Sequence, residues 1–157
     1  MGKRGGKGKR GGTGKRGGAR GRAKARVATA DVRALYEASV QSPESELDFV
    51  EQAFRKLRGR RPVSIREDFC GSAFTSSTWV KRRAGNRAVG VDLDADALAW
   101  GERTHTKDMT DEQRSRLTLV RGDVRTPTRE GRGVDCVLAM NFSHWIFKTR
   151  DELREYF

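Results

Sequence analysis

Four carboxylates between Val63 and Asp123 stand where apolar segments of strand length come to an end. Val63-Ser64-Ile65-Arg66-Glu67-Asp68 runs into the turn Phe69-Cys70-Gly71-Ser72-Ala73, and Ala88-Val89-Gly90-Val91 closes on Asp92. Leu117-Thr118-Leu119-Val120 leads through Arg121 to Gly122-Asp123. A strand, turn and helix, followed about twenty residues later by a strand ending on an acid, is how a βαβ unit binds adenosine. The acid accepts hydrogen bonds from both ribose hydroxyls, and the turn brings backbone close to the rest of the ligand. In this pattern Asp92 is the ribose acid. Asp123 can accept from the adenine amino group, with Val124 against the ring face.

The turn decides which adenosine compound fits. Pyrophosphate needs several glycines, so that backbone N–H groups close on phosphate and the helix packs tightly. Gly71 is the one glycine where a G-x-G-x-x-G loop has three. A turn opening on Glu67-Asp68 also repels phosphate. It suits a cation instead, and S-adenosylmethionine carries an ammonium and a sulfonium but no phosphate. A nicotinamide oxidoreductase is disfavoured on the same grounds.

At these residues the chain resembles the class I S-adenosylmethionine-dependent methyltransferases. The resemblance rests on Arg66-Glu67-Asp68-Phe69-Cys70-Gly71, Val89-Gly90-Val91-Asp92-Leu93-Asp94 and Arg121-Gly122-Asp123-Val124. It continues through Asn141-Phe142-Ser143-His144-Trp145 and Phe147-Lys148-Thr149-Arg150-Asp151-Glu152-Leu153, covering residues 32–157 without the basic tail. Ala73 departs from the pattern, because the superfamily usually carries another glycine there. The resemblance implies a Rossmann-like fold, methyl transfer to an unidentified acceptor, and S-adenosylmethionine as cofactor. It also implies a cofactor-binding set of Glu67, Cys70, Gly71, Asp92, Leu93, Asp123, Val124 and Asn141. Glu67, the acidic start of the first motif, would reach the methionine ammonium through water or backbone.

Catalytic groups are few. His144 and Asn141 are the candidates near the expected methyl position, and His144 can take a proton from an acceptor O–H or N–H. His144-Trp145 after a buried strand can equally line the cofactor pocket. Cys70 suits packing better than chemistry, since no base stands near it to activate a thiolate. Methyl transfer demands little of side chains, because the sulfonium is already activated and alignment supplies most of the acceleration. Neither cysteine has zinc-like spacing, so no metal site is expected.

The elements that must hold these residues follow from periodicity. Asp31 to Gln41 has Val32, Leu35, Tyr36 and Val40 on one helical face. Ser42 and Pro43 start a second helix carrying Leu47, Val50, Phe54 and Leu57, which Gly59 and Pro62 stop. Helices over 74–84 and 95–104 follow the first two strands, with Trp79 and Val80 facing the sheet. Thr110-Asp111-Glu112-Gln113 and Thr149-Arg150-Asp151-Glu152 have the form of capping boxes. Val134 to Met140 is a continuous apolar run of the kind that forms a buried parallel strand. Right-handed crossovers then predict strands near 63–68, 88–92, 117–121 and 134–140 in the order 3-2-1-4, with helices on both faces. A complete sheet of this class continues beyond its fourth strand, so residues 28–157 are expected to be the N-terminal part of a methyltransferase domain, a fragment.

Charge separates the first residues from all of this. Eleven Lys and Arg precede the first acid, Asp31, leaving about +1 of the formal +12 for the rest of the chain. Gly-Lys-Arg-Gly-Gly recurs at 2–6, 8–12 and 14–18. With nothing apolar to bury, residues 1–27 cannot offset a backbone ordering cost of roughly 1–2 kcal/mol per residue, and disorder is expected. Such a tail (residues 1–26) can contact RNA or DNA non-specifically by counterion release, and lacks aromatic residues to stack on bases. That is the alternative function: a nucleic-acid-associated protein working through its tail. No apolar run has the length of a signal peptide or membrane span, and the cysteine usage suits a reduced, cytoplasmic protein.

Overall fold

The computed structural model describes residues 1–2, 31–126 and 128–157. The expected disorder of the basic tail, and its nucleic-acid contact, concern residues that lie almost wholly outside that set. The chain divides into two units, Met1–Gln41 and Ser42–Phe157. In the first, helix α1 (Val32–Val40) is opened by Asp31, whose carboxylate accepts from the backbone N–H of Arg33 at 3.0 Å and of Ala34 at 3.4 Å.

The second unit contains a sheet of four parallel strands: β1 (Ser64–Asp68), β2 (Arg87–Asp92), β3 (Leu117–Arg121) and β4 (Cys136–Ala139). Their spatial order is β3-β2-β1-β4, as the alternation of apolar runs and helices predicts. Register aligns Asp68 with Val91 and Ala139, and Asp92 with Arg121, so the acids gather at the carboxyl ends of the strands. Ligand crevices of open parallel sheets lie at that edge.

The helices of this unit are α2 (Pro43–Arg58), α3 (Phe74–Arg82), α4 (Ala95–His105), α5 (Asp111–Ser115) and α6 (Arg150–Tyr156). On one face of the sheet Leu47 of α2 and Trp79 and Val80 of α3 pack with Ile65, Ala88 and Leu138. Further along the same face Leu98 of α4 joins Cys70, Ala73 and Leu119. Alternate residues of the strands point the other way. There Val89, Val91 and Val124 meet Phe69, Phe147 and Tyr156, so α6 covers part of that face.

Local chemistry explains where the elements start and stop. Both expected capping boxes form: Thr110 with Gln113, and Thr149 with Glu152. Ser42 occupies the N-cap of α2, but its hydroxyl bonds Ser45 Oγ at 3.2 Å and leaves the first turn uncapped by a side chain. Strand β4 is shorter than the apolar run from Val134 because Asp135 is engaged elsewhere. Its carboxylate accepts from Arg60 Nη2 at 2.6 Å and from the N–H groups of Val63 and Ser64 at 2.7 and 3.1 Å. These bonds hold the Asp135 carboxyl far below the usual range and pin the entry of β4 to the entry of β1.

Candidate active site

The turn after β1 holds three residues in the left-handed region, and only one of them is a glycine. Phe69, Gly71 and Ala73, at alternate positions, have φ of 59°, 55° and 56°. A left-handed conformation at a non-glycine residue costs about 1–2 kcal/mol, and two of these three residues carry a Cβ. Packing holds them there. Ala73 is fully buried beside Cys70, and Phe69 stacks obliquely on Phe147 and Tyr156 at 6.0 and 5.9 Å. Ala73 thus holds, with a Cβ, a left-handed conformation that a glycine adopts at less cost.

Two glycines outside the turn let it sit where it does. A Cβ on Gly101, in the middle of α4, would lie 1.9 Å from the carbonyl oxygen of Ser72. A Cβ on Gly90 of β2 would lie 2.9 Å from Cys70 Sγ. So α4 and β2 close on the turn through hydrogen atoms alone. Gly90 falls within the second motif, whereas Gly101 lies outside every motif. The available signal was a glycine inside a helix, which costs about 1 kcal/mol against alanine and so usually has a packing reason.

The four carboxylates separate into two kinds. Glu67 and Asp68 are buried. Glu67 accepts from the N–H and Oγ–H of Ser76 at 2.8 and 2.6 Å, which ties β1 to α3. Burial raises its pKa to about 7, against the opposing effect of the Ser76 bonds. Asp68 accepts from Arg66 Nε and Nη2, both at 2.8 Å, and from the Tyr156 hydroxyl at 2.8 Å. Burial first, and this bond second, push the Tyr156 phenol well above its ordinary value.

Asp92 and Asp123 face a cleft of ≈ 330 Å³ lined also by Phe69, Leu93, Val124 and Phe147. Asp92 Oδ2 accepts from the Gly71 N–H at 2.7 Å, and Oδ1 from the Asp94 N–H at 2.8 Å. The turn and the second acid are thus one hydrogen-bonded unit, and the carboxylate retains lone pairs for a ligand. Asp123 is engaged by Arg125, whose Nε lies 3.1 Å from each carboxylate oxygen and whose Nη2 lies 2.6 Å from Oδ2. The Arg125 N–H adds a fourth contact at 2.9 Å. The Arg125 side chain, then its N–H, hold the Asp123 carboxyl below the usual range.

Of the residues expected to bind cofactor, Asp92, Leu93, Asp123 and Val124 line this one cleft, and Gly71 joins it through Asp92. Three do not line it. Glu67 lies on the opposite face of β1 from Asp68 and is turned toward α3, because adjacent strand residues alternate. Its carboxylate is bonded to Ser76 of that helix. The Cys70 side chain is buried against Ala73, Leu98 and Leu119, and burial pushes its thiol far above the ordinary value. Asn141 is exposed and in the left-handed region at φ 55°, just beyond β4. His144 lies in the 3-10 turn Ser143–Ile146, also outside the cleft lining. Both cysteines are free, and no cluster able to hold a metal occurs among the described residues. No helix among them is long and apolar enough to cross a membrane.

No family model matches the chain, and no curated protein matches it. Solved structures do. The chain is similar to CalS10, an amino pentose methyltransferase of Micromonospora echinaspora solved with S-adenosylmethionine bound, at TM-score 0.61 and 21% identity over 79% of this chain and 47% of that one. It is similar to the sugar N-methyltransferase KedS8 of Streptoalloteichus, at TM-score 0.61 and 20% identity over 96% and 53%. DesVI of Streptomyces venezuelae matches at TM-score 0.60 and 22% identity over 79% and 47%. The chain therefore spans about half the length of these structures. Sheet order and strand–turn–helix succession are those of the class I methyltransferase fold.

Proposed function

We propose that this chain provides the cofactor-binding half of an S-adenosylmethionine-dependent methyltransferase. One observation carries the reading: Asp92, at the carboxyl end of β2, is bonded at 2.7 Å to the Gly71 N–H of the first turn and faces a cleft of ≈ 330 Å³. In a phosphate-binding loop that N–H would point at the ligand. Here it is spent on a carboxylate. Asp92, Asp94, Asp123 and Glu152 also line the cleft, with Arg125 the opposing cation, so a pyrophosphate would meet net negative charge. A cationic adenosine compound meets attraction.

The residues fit the cofactor's parts in order. Asp92 accepts from the ribose hydroxyls, its orientation set by the Gly71 and Asp94 N–H groups. Leu93 and Val124 offer apolar surface to the base, and Asp123 is the acceptor for its amino group. Phe69 and Phe147 form the wall that keeps water from this part of the site. Bound S-adenosylmethionine would supply a methyl group already activated by its sulfonium. This chain's contribution is orientation, which in well-ordered sites is worth roughly 7–11 kcal/mol of barrier. The acceptor is a nucleophile, and the sugar N-methyltransferase KedS8 of similar fold supports an amine among the candidates.

Isothermal calorimetry with S-adenosylmethionine, S-adenosylhomocysteine and NADH tests the reading. Binding of the two adenosyl amino acids, lost on Asp92→Ala, is the expected result. Binding of NADH in their place sinks it.

A second contact is favoured by charge. The eleven cations before Asp31 would bind a polyanion such as RNA or DNA, with an affinity that falls steeply as salt rises. A chain lacking residues 1–26 should lose that binding and keep the cofactor site. Equal polyanion affinity with and without the tail would move the contact elsewhere.

A further inference from the structure

The Asp123 carboxylate is engaged on both oxygens by a single neighbour, Arg125. A carboxylate has about four lone-pair sites. Three N–H groups of Arg125 address them: the backbone N–H on Oδ1 at 2.9 Å, Nη2 on Oδ2 at 2.6 Å, and Nε–H shared between the two oxygens at 3.1 Å from each. Arg125 also lines the cleft, with its guanidinium 5.8 Å from the Phe147 ring centre. A neutral amino group arriving at Asp123 competes with this charged donor for the same two oxygens. The displaced guanidinium has somewhere to go. Its Nη1 already lies 3.4 Å from Glu155 Oε2 on α6, and the side chains of Asp123 and Arg125 are both only 32% exposed.

We propose that Arg125 is a positioning residue that holds the base subsite shut and is transferred from Asp123 to Glu155 when the base enters. The inference rests on the reading that Asp123 receives the amino group of an adenine. The arginine occupies the amino group's place on Asp123, so a ligand lacking that group leaves it there. A ligand carrying the group gains a bond to Asp123 and loses the ion pair, so the arginine lowers affinity and specificity together. Glu155 offsets this by receiving the released cation. Because half-exposed ion pairs are weak, the effects are several-fold rather than large.

The test uses calorimetry with S-adenosylhomocysteine and its purine analogue, which lacks the 6-amino group. Arg125→Met should tighten S-adenosylhomocysteine by about threefold, the scale of a half-exposed ion pair, and leave the purine analogue unchanged. Glu155→Gln should weaken S-adenosylhomocysteine, and the double variant should follow Arg125→Met. Unchanged or weaker binding by Arg125→Met, with the amino group still preferred, overturns the gate and leaves the Asp123 reading standing. If wild type and Arg125→Met both fail to distinguish the two ligands, the base does not reach Asp123, and the reading and the inference fall together. Circular dichroism of each variant separates these outcomes from misfolding, and Arg125→Lys, which keeps one donor, should lie between wild type and Met.

Discussion

Glu67 and Asp68 on β1, Asp92 at the end of β2 and Asp123 just after β3 are four acids at one edge of one sheet, with different uses. The first pair is buried and its oxygens are committed to Ser76, Arg66 and Tyr156. The second pair faces a cleft and is held largely by backbone N–H groups or by a half-exposed arginine. The difference is depth. Residues inside the central strand β1 have neighbours on both sides and must find partners within the protein, because a buried charge without one is costly. Asp92, the last residue of the next strand, and Asp123, two positions past β3, are only partly buried. A stretch rich in acids is thus half framework and half site, and burial tells the halves apart.

The largest effect should come from the framework. Asp68→Ala leaves Arg66 buried with one carbonyl partner, that of Gly131 at 3.3 Å. Breaking one side of a buried pair costs about 3–5 kcal/mol. Urea unfolding should show a loss of that size, and a loss below about 1 kcal/mol would mean that Asp68 belongs with the solvent-facing acids.

Glu67 gives the next effect, and it depends on pH. Its folded-state pKa, raised to about 7, exceeds the ordinary 4.5, so the native state holds the proton more tightly than the unfolded chain. Below pH 4.5 both states are protonated and there is no penalty; stability then falls as pH rises toward 7. The full loss is about 3 kcal/mol, at 1.36 kcal/mol for each pH unit of displacement. Glu67→Gln keeps an acceptor for Ser76 and does not titrate. Its stability relative to wild type should therefore rise across that window, whereas a difference that stays flat with pH would show that Glu67 is not the titrating group.

How far the sequence carried depends on the same distinction. The strand order was legible because apolar runs such as Ala88–Val91 alternate with capped helices and parallel crossovers have one hand. Asp92 was legible because its place depends only on strand end and spacing. Glu67 and Cys70 were harder. Both lie in the motif, yet each points into the core, and the pleat of β1 and the clamp of Gly101 on Ser72 are tertiary facts. The left-handed φ of Phe69 and Ala73 was hidden for a related reason, since residue type argues against it and only packing imposes it.

Asp92→Ala should act on binding more than on stability. It removes the proposed ribose acceptor and also the partner of the Gly71 N–H, so the turn loses its tether to β2. Charge-assisted bonds are worth roughly 1.5–3 kcal/mol each, and water recovers part of that. Calorimetry should show affinity for S-adenosylmethionine falling at least about tenfold, with Asp92→Asn milder because one acceptor survives. Unchanged affinity would take Asp92 out of the site and remove half of the contrast.

Asp123→Ala should have the smallest effect, although its position mirrors that of Asp92. The wild-type carboxylate must give up part of its pairing with Arg125 before it can accept from a base, so the gain on binding is largely offset. Substitution to alanine loses the bond and the cost of displacement together. The expected change in S-adenosylhomocysteine affinity is less than about threefold, within the range of a half-exposed ion pair. In an Arg125→Met background the displacement cost is gone, and the same Asp123→Ala substitution should then cost more than it does in wild type. This non-additivity is what two groups sharing one partner must produce. Additive effects would mean that Arg125 and the ligand do not compete for Asp123. A tenfold loss from Asp123→Ala alone would place it beside Asp92 as a free acceptor. The two cleft acids would then differ only in which part of the ligand they hold.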